Sequence, residues 1–259
     1  MLSPDEWLLQ KLSRPPGSAD YRYEDEDEIE ADPLALLRHE YPGLRDLAEH
    51  KRVADFGCGR GTQAMALASA CDCSVVGIDT NPRWLAEAQR LARERELPVE
   101  KVSFLPLGAA ELFESFDVVV SQNAMEHYPQ PDTALETMRR LLRPGGQLLL
   151  TFGPPWFAPW GAHMRFFCRV PWVNLLFRER TVMSVRARYR GDGARHYEEV
   201  ESGLNRMSLR KLEALLQHSP LEVEHLHYRG VKGQHWVARV PVLRELLVNH
   251  VTCILRRPD

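Results

Sequence analysis

Val53-Ala54-Asp55-Phe56-Gly57-Cys58-Gly59-Arg60-Gly61 reads as a buried strand that ends in an acid and runs into a glycine-rich turn. The residues that follow, Thr62 to Ser69, are rich in Ala, Leu and Met and suit a helix. Three glycines at alternate positions let the backbone fold tightly and come close to a ligand. The G-x-G-x-G spacing differs from the G-x-G-x-x-G of dinucleotide sites, where a pyrophosphate rests on the helix N-terminus. An acid two residues ahead of the first glycine would repel a pyrophosphate and suits a cationic or hydroxylated ligand. An α/β domain holding another nucleotide, or no ligand, is the competing reading.

Three further segments extend the first. Ser74-Val75-Val76-Gly77-Ile78-Asp79 is an apolar run closed by an acid, which can take both hydroxyls of a ribose. Phe116 to Ser121 is a third apolar run, followed by Gln122-Asn123-Ala124-Met125-Glu126-His127. Leu141-Leu142-Arg143-Pro144-Gly145-Gly146 ends a helix and opens a strand that runs to Thr151. Together these segments resemble the class I S-adenosylmethionine-dependent methyltransferases of the methyltransferase type 11 group. The resemblance is close from Val53 to Phe152 and looser towards the C-terminus.

The resemblance implies an α/β fold: a Rossmann-like, doubly wound, mostly parallel seven-stranded sheet with a last antiparallel strand and an inserted helical lid. It implies S-adenosyl-L-methionine as cofactor. Asp55, Gly57, Cys58, Gly59 and Gly61 match the first family motif, Asp79 the ribose acid, and Thr80 and Asn81 the flank of the adenine. Asp55 has a compatible second reading, an acid that organises the turn by bonding backbone N–H groups. Cys58 reads as packing, not as a nucleophile. The family's Gly-Asp-Ala after the third strand is Gly108-Ala109-Ala110 here. Without the acid, the adenine edge is left to the backbone of Ala109 and Ala110, with Glu111 as a substitute. Trp84 reads as core of its helix ahead of an adenine stacker.

Strands alternating with helices argue for a parallel sheet covered on both faces, with ligands at the C-terminal rim. The expected organisation is an N-terminal segment with capping helices (1–50), a cofactor core (51–153), a lid (154–207) and a returning helix and strand part (208–259). The first stretch, to about Asp20, carries Pro15-Pro16-Gly17 and reads as loose, and a capping helix is expected near Asp32-Pro33. Gly153 to His163 holds three prolines and two glycines and cannot be a regular element. Arg165 to Arg190 reads as one or two amphipathic helices. The 259 residues and net charge of −3 suit one α/β unit and give no electrostatic footprint for nucleic acid. Five cysteines form no metal-spaced set. Without a signal-peptide core or an apolar stretch of spanning length, the chain is expected to be cytoplasmic, with no stable membrane insertion.

Methyl transfer asks the protein to hold cofactor and nucleophile together, and a hydroxyl nucleophile also needs a base. Gln122, Asn123 and His127 follow the fourth strand and should face the reactive end of the cofactor. Glu126-His127 resembles the Glu-x-x-Glu-His metal motif of ubiquinone-biosynthesis O-methyltransferases and small-RNA 2′-O-methyltransferases. Asn123 replaces the first acid, an amide is a poorer hard-cation ligand, and no metal is expected. His163 ends the stiff proline loop and is a catalytic candidate beside His127; its other reading is to pin the lid. Trp156, Phe157 and Trp160 are expected to wall an acceptor, or else to pack the lid. Asn205 closes the lid as a polar acceptor contact, with His196, Tyr197 and Arg206 near it. The lid's many arginines read as solvated faces, with an anionic substrate or a membrane surface as the alternative. The expected activity is methylation of a small molecule, at the oxygen of a hydroxylated metabolite or sugar. The alternatives are N- or C-methylation and a non-catalytic cofactor-binding module.

Overall fold

Strand β1 (Arg52–Phe56) lies inside the sheet, flanked on one side by β2 (Ser74–Asp79) and β3 (Val102–Pro106). On its other side come β4 (Phe116–Gln122) and β5 (Leu142–Phe152), then β7 (Val248–Arg256), then β6 (Glu222–Gly230). The computed structural model describes residues 2–15, 32–108, 112–200 and 203–259. Among them the sheet has seven strands in the order β3-β2-β1-β4-β5-β7-β6. The first five pair in parallel, and β7 runs antiparallel to both neighbours. This is the doubly wound sheet with a reversed late strand that the sequence implies.

Alternation along the strands explains why their apolar runs are unbroken. Val118 and Val120 point to one face and Val119 to the other, and both faces are covered. On one face lie α2 (Ala35–Glu40), α3 (Leu44–Ala48), α4 (Thr62–Ala70) and α5 (Pro82–Glu94), which bury Leu37, Leu44, Met65 and Leu85 there. The other face takes α6 (Pro131–Leu141), with Leu135 and Met138 buried in its core. The expected capping helix near Asp32 is α2, and it serves as sheet packing.

The segment expected to be the lid contains the short helix α7 (Val173–Leu176) and α8 (Glu179–Arg186). Helix α9 (Leu209–His218), capped by the Ser208 hydroxyl accepting from the Lys211 N–H, returns the chain to the sheet, where it covers the face shared with α6. Helix α10 (Pro241–Leu247) precedes β7. Among the described residues no helix is long and apolar enough to cross a membrane.

The N-terminal stretch differs from expectation. Pro4–Leu12 forms a helix, here αN because it precedes the sheet helices. Ser3 caps it by accepting from the Glu6 N–H, and the Glu6 carboxylate accepts from the Ser3 N–H. This capping box was legible as Ser3-Pro4-x-Glu6. Leu9 is fully buried in a third core made with Trp156, Phe167, Val182, Tyr189 and Tyr197. The lid therefore has a core of its own, completed by the chain's first helix.

Candidate active site

A cavity of about 680 Å³ opens at the C-terminal ends of β1, β2 and β4. Its floor is the turn after β1. Gly57, Gly59 and Gly61 take φ of 81°, 51° and 74°, the left-handed region that glycine enters at least cost. A side chain at Gly61 would collide with the Phe104 ring at 2.4 Å, so this glycine packs helix against strand. A side chain at Gly59 would meet nothing within 4 Å. Gly59 lines the cavity, and its backbone is open to a ligand. Cys58 and Gly61 are not among the lining residues; Cys58 packs near Gly77, and burial pushes its thiol up, which suits packing.

Asp79 shapes this floor from β2. One carboxylate oxygen accepts from the Gly59 N–H and the other from the Asn81 N–H, both at 2.8 Å. Asn81 in turn caps α5 by accepting from the Arg83 N–H at 3.0 Å. Asp79, Thr80 and Asn81 all line the cavity. So does Trp84, at 39% exposure. The core reading of Trp84 is therefore corrected: its helix buries Leu85, Ala88 and Ala92 instead. Ala109, Ala110 and Glu111 lie outside the described residues; Leu107, just before them, lines the same wall.

Asp55 is buried behind the turn. One oxygen accepts from Gln63 Nε2 at 2.8 Å, and the other has no partner at hydrogen-bonding geometry, with the Ala64 N–H near the carboxylate. Burial pushes the carboxyl up to about 7, with the Gln63 bond opposing and the Asp79 charge adding to the rise. Gln122 Oε1, at the end of β4, is a second buried acceptor without a partner. Asn123 has φ of 47°, and its N–H donates to Thr151. Tyr128, which the sequence reading missed, donates to the Phe56 carbonyl at 3.2 Å and packs edge-on against the Phe56 ring. Thr133, Ala134 and Thr137 of α6 extend the wall beyond it.

His127 lines the cavity, and its Nδ1 lies 2.7 Å from the Gly203 carbonyl. A donor at Nδ1 leaves Nε2 as the acceptor nitrogen of the neutral ring. His163 stands edge-on to it, with ring centroids 5.3 Å apart. His163 is not a cavity residue, and its Nε2 is buried without a partner. Burial, with His127 beside it, holds this imidazole down to about 3. Glu126 is buried between these elements, and neither oxygen has a partner at hydrogen-bonding geometry. Burial pushes it up to about 8, which the nearby backbone N–H groups of Glu126 and Gly153 only partly offset. Among the described residues no three His, Cys, Asp or Glu side chains gather as metal ligands would.

The other lid candidates stand away from the cavity. Trp156 is buried in the lid core, edge-on to Tyr197 at 4.9 Å. Phe157 is partly exposed, and Trp160 carries the Arg165 guanidinium at 5.4 Å from its ring. Asn205 ties the loop after β4: its N–H donates to the Glu126 carbonyl and its amide to those of Met125 and Tyr128, at 2.8–2.9 Å.

A family described as a methyltransferase domain, methyltransferase type 11, matches residues 54–150. The tRNA U34 carboxymethyltransferase of Ectopseudomonas mendocina is 40% identical over 103 residues, 39% of this chain and 31% of that protein. The chain thus matches less than a third of that relative's length. An uncharacterized methyltransferase of Mycobacteroides abscessus is 29% identical over 210 residues, 80% of this chain and 76% of that protein. The structure of Haemonchus contortus phosphoethanolamine N-methyltransferase 2 with S-adenosyl-L-methionine superimposes with a TM-score of 0.56 at 16% identity, covering 88% of this chain and 53% of that one. Every residue that lines the cavity falls inside the matched segment. Residues 54–150 are a methyltransferase domain of that family, carried on a fold shared with solved S-adenosylmethionine-dependent methyltransferases.

Proposed function

We propose that this chain methylates a small-molecule acceptor at a hydroxyl oxygen. The observation that carries the reading is His127, a cavity-lining imidazole whose Nδ1 is engaged by the Gly203 carbonyl. The residues present fit the cofactor. Gln122, in the cavity wall, offers a buried acceptor without a partner that an ammonium group would supply, and Asp55 stands behind the turn as a second acid. Gly59 offers open backbone, and Asp79 stands where ribose hydroxyls would be met. Trp84 and Leu107 give an apolar wall for a flat base. When bound, S-adenosylmethionine supplies an electrophilic methyl carbon for in-line displacement.

His127 Nε2 is the group proposed to take the acceptor's proton as the oxygen attacks. His163, withdrawn and weakly basic, supports the His127 ring from its edge. A small molecule is proposed over a nucleic acid because the match to the tRNA enzyme spans 39% of this chain and 31% of that protein, and a net charge of −3 supplies no basic footprint.

The test is calorimetric titration with S-adenosylhomocysteine, then detection of that product from S-adenosylmethionine with hydroxylated and amine acceptors in parallel. Micromolar binding and turnover on a hydroxylated acceptor are expected. Turnover confined to amines would move the reaction to nitrogen. Binding of NAD without S-adenosylhomocysteine would end the proposal.

A further inference from the structure

Two stretches of the lid body leave large apolar side chains in solvent. Leu175 and Leu176 of α7 are 44% and 64% exposed. On αN, Trp7, Leu8 and Leu12 are 46–55% exposed. Trp7, Leu8, Lys11 and Leu12 recur at helical spacing and share one face, turned away from the buried Leu9. The two stretches border the same part of the lid. Ser13 bridges Cys168, and the Arg14 N–H donates to the Phe167 carbonyl at 2.8 Å, so αN ends beside Arg169, from which the chain runs into α7.

Helix α7 is held where it is. The Trp172 N–H donates to the Pro159 carbonyl at 2.6 Å and its indole to that of Phe157 at 3.1 Å. The Asn174 amide donates to the Trp156 carbonyl at 2.8 Å, and Val173 is buried. Leu175 and Leu176 therefore project from an anchored turn. Contiguous exposed apolar groups of this kind mark interaction surfaces.

The surrounding charge narrows the partner. From Arg165 to Arg190 the chain has seven arginines and one acid, Glu179; of these arginines Arg186 is buried in a pair with Asp192, and Arg180 faces Glu6 of αN. Arg169 and Arg178 flank α7 and are exposed, as are Arg180 and Arg188 of the next elements. We propose that this face docks the protein on a membrane surface rich in anionic lipid, arginines at the headgroups and Trp7, Leu175 and Leu176 below them. Exposed leucines flanked by exposed arginines fit that environment, and Trp7 on αN adds a second apolar position. A nucleic acid would satisfy the arginines and leave the leucines in water. A second copy of the chain would set arginine against arginine. The proposal uses no cavity residue and stands apart from the methyl-transfer reading.

The test is flotation with vesicles of phosphatidylcholine alone, and of phosphatidylcholine mixed with phosphatidylglycerol. The protein should float with the mixed vesicles and stay behind with the neutral ones. Each cation near an anionic surface contributes roughly fivefold in partitioning. Raising salt from about 0.1 M to 1 M shortens screening from about 10 to 3 Å and should release the protein. The Leu175→Glu, Leu176→Glu double variant changes only exposed positions and should lose flotation while still binding S-adenosylhomocysteine. Equal flotation with both vesicle types, or a double variant that floats like the parent, overturns the proposal. So does a parent chain that stays off both vesicles and dimerises in sedimentation velocity through this face.

Discussion

At the cofactor rim, the groups that face the cavity are held by backbone: three left-handed glycines, two amides bound to Asp79, and the ends of three strands. In the lid, position is set by side-chain burial. Leu9, Trp156, Phe167 and Tyr197 fill a core separate from those of the sheet. A backbone-built site is fixed by a few local residues and tolerates little change in them. A side-chain core is fixed by volume and distant partners, and can fail without dismantling the sheet. The largest expected effect tests that separation. Trp156→Ala should cost about 3–5 kcal/mol, the usual loss for a buried aromatic. Hydrogen exchange should then show αN and the lid losing protection while β1 and β4 keep theirs, and S-adenosylhomocysteine should still bind. Equal loss of protection in β1 and β4 would break the distinction between the two regions.

Within the rim, two glycines should fail differently. Gly61→Ala forces a methyl group onto Phe104 and Ala88 in a left-handed conformation. Overpacking and backbone strain together should lower stability by roughly 2–4 kcal/mol. Gly59→Ala carries only the strain, about 1–2 kcal/mol. Its methyl group would occupy open space on the cavity floor. Thermal unfolding and calorimetry together should show Gly61→Ala losing mainly stability and Gly59→Ala losing mainly ligand affinity. If both variants lost affinity and stability in the same proportion, Gly59 would have no role of its own.

Much of the rim was legible because its determinants are contiguous. Asp55 closes a strand, the glycines turn the chain, and Asp79 closes the next strand, each within a few residues. Gln63 could have been found too. A side chain in the first turn of a helix leans back over the turn before it, which places Gln63 on Asp55. The lid was opaque for a physical reason. Its core joins Leu9 to residues more than 140 positions later, and no local spacing reports such a partner. Trp156 and Trp160 sit in the same proline loop, yet one is core and the other is half-buried at the surface. Their difference comes from Tyr197 and Arg206 packing on the first, which only the fold reveals. Asn205 was read towards an acceptor because it is polar; in the fold it joins the two regions by binding three carbonyls of the loop after β4.

The seam between the regions should show a pH dependence. Glu126, ordinarily near 4.5, is pushed up to about 8 by burial. The native state keeps a proton that the unfolded chain has released, so stability falls as pH rises through this window. The slope is at most about 1.4 kcal/mol per pH unit. His163 acts in the opposite sense at lower pH: its imidazole is held down to about 3 from an ordinary 6.5, so the unfolded chain takes up the extra proton there. The Glu126 slope should therefore be visible from about 6.5 to 8, with Asp55 adding to it up to about 7. Denaturant midpoints across that range should fall in the parent and fall less in Glu126→Gln. An identical slope in the variant would mean that Glu126 is ionised in the native state.

The smallest effect separates the two histidines across the same seam. His163 supports His127 through an edge-on contact, and such pairs are worth about 0.5–1.5 kcal/mol beyond their buried area. His163→Asn should therefore lower turnover by roughly tenfold or less, with S-adenosylhomocysteine affinity and the shape of the pH–rate profile unchanged. His127→Asn should lower turnover by about 10²–10⁴, the range for a lost general base, and remove the limb that reports the base. The asymmetry follows from position: His127 lines the cavity and bonds Gly203 through Nδ1, whereas the His163 Nε2 atom is buried in the lid. An imidazole held near 3 is neutral at physiological pH but a weak proton acceptor, and proton transfer is most efficient when the base titrates near the working pH. If His163→Asn lost the larger factor and erased the limb while His127→Asn kept both, the lid would be supplying the base. The seam would then close further over the acceptor than this structure shows, and the rim would be left with cofactor binding alone.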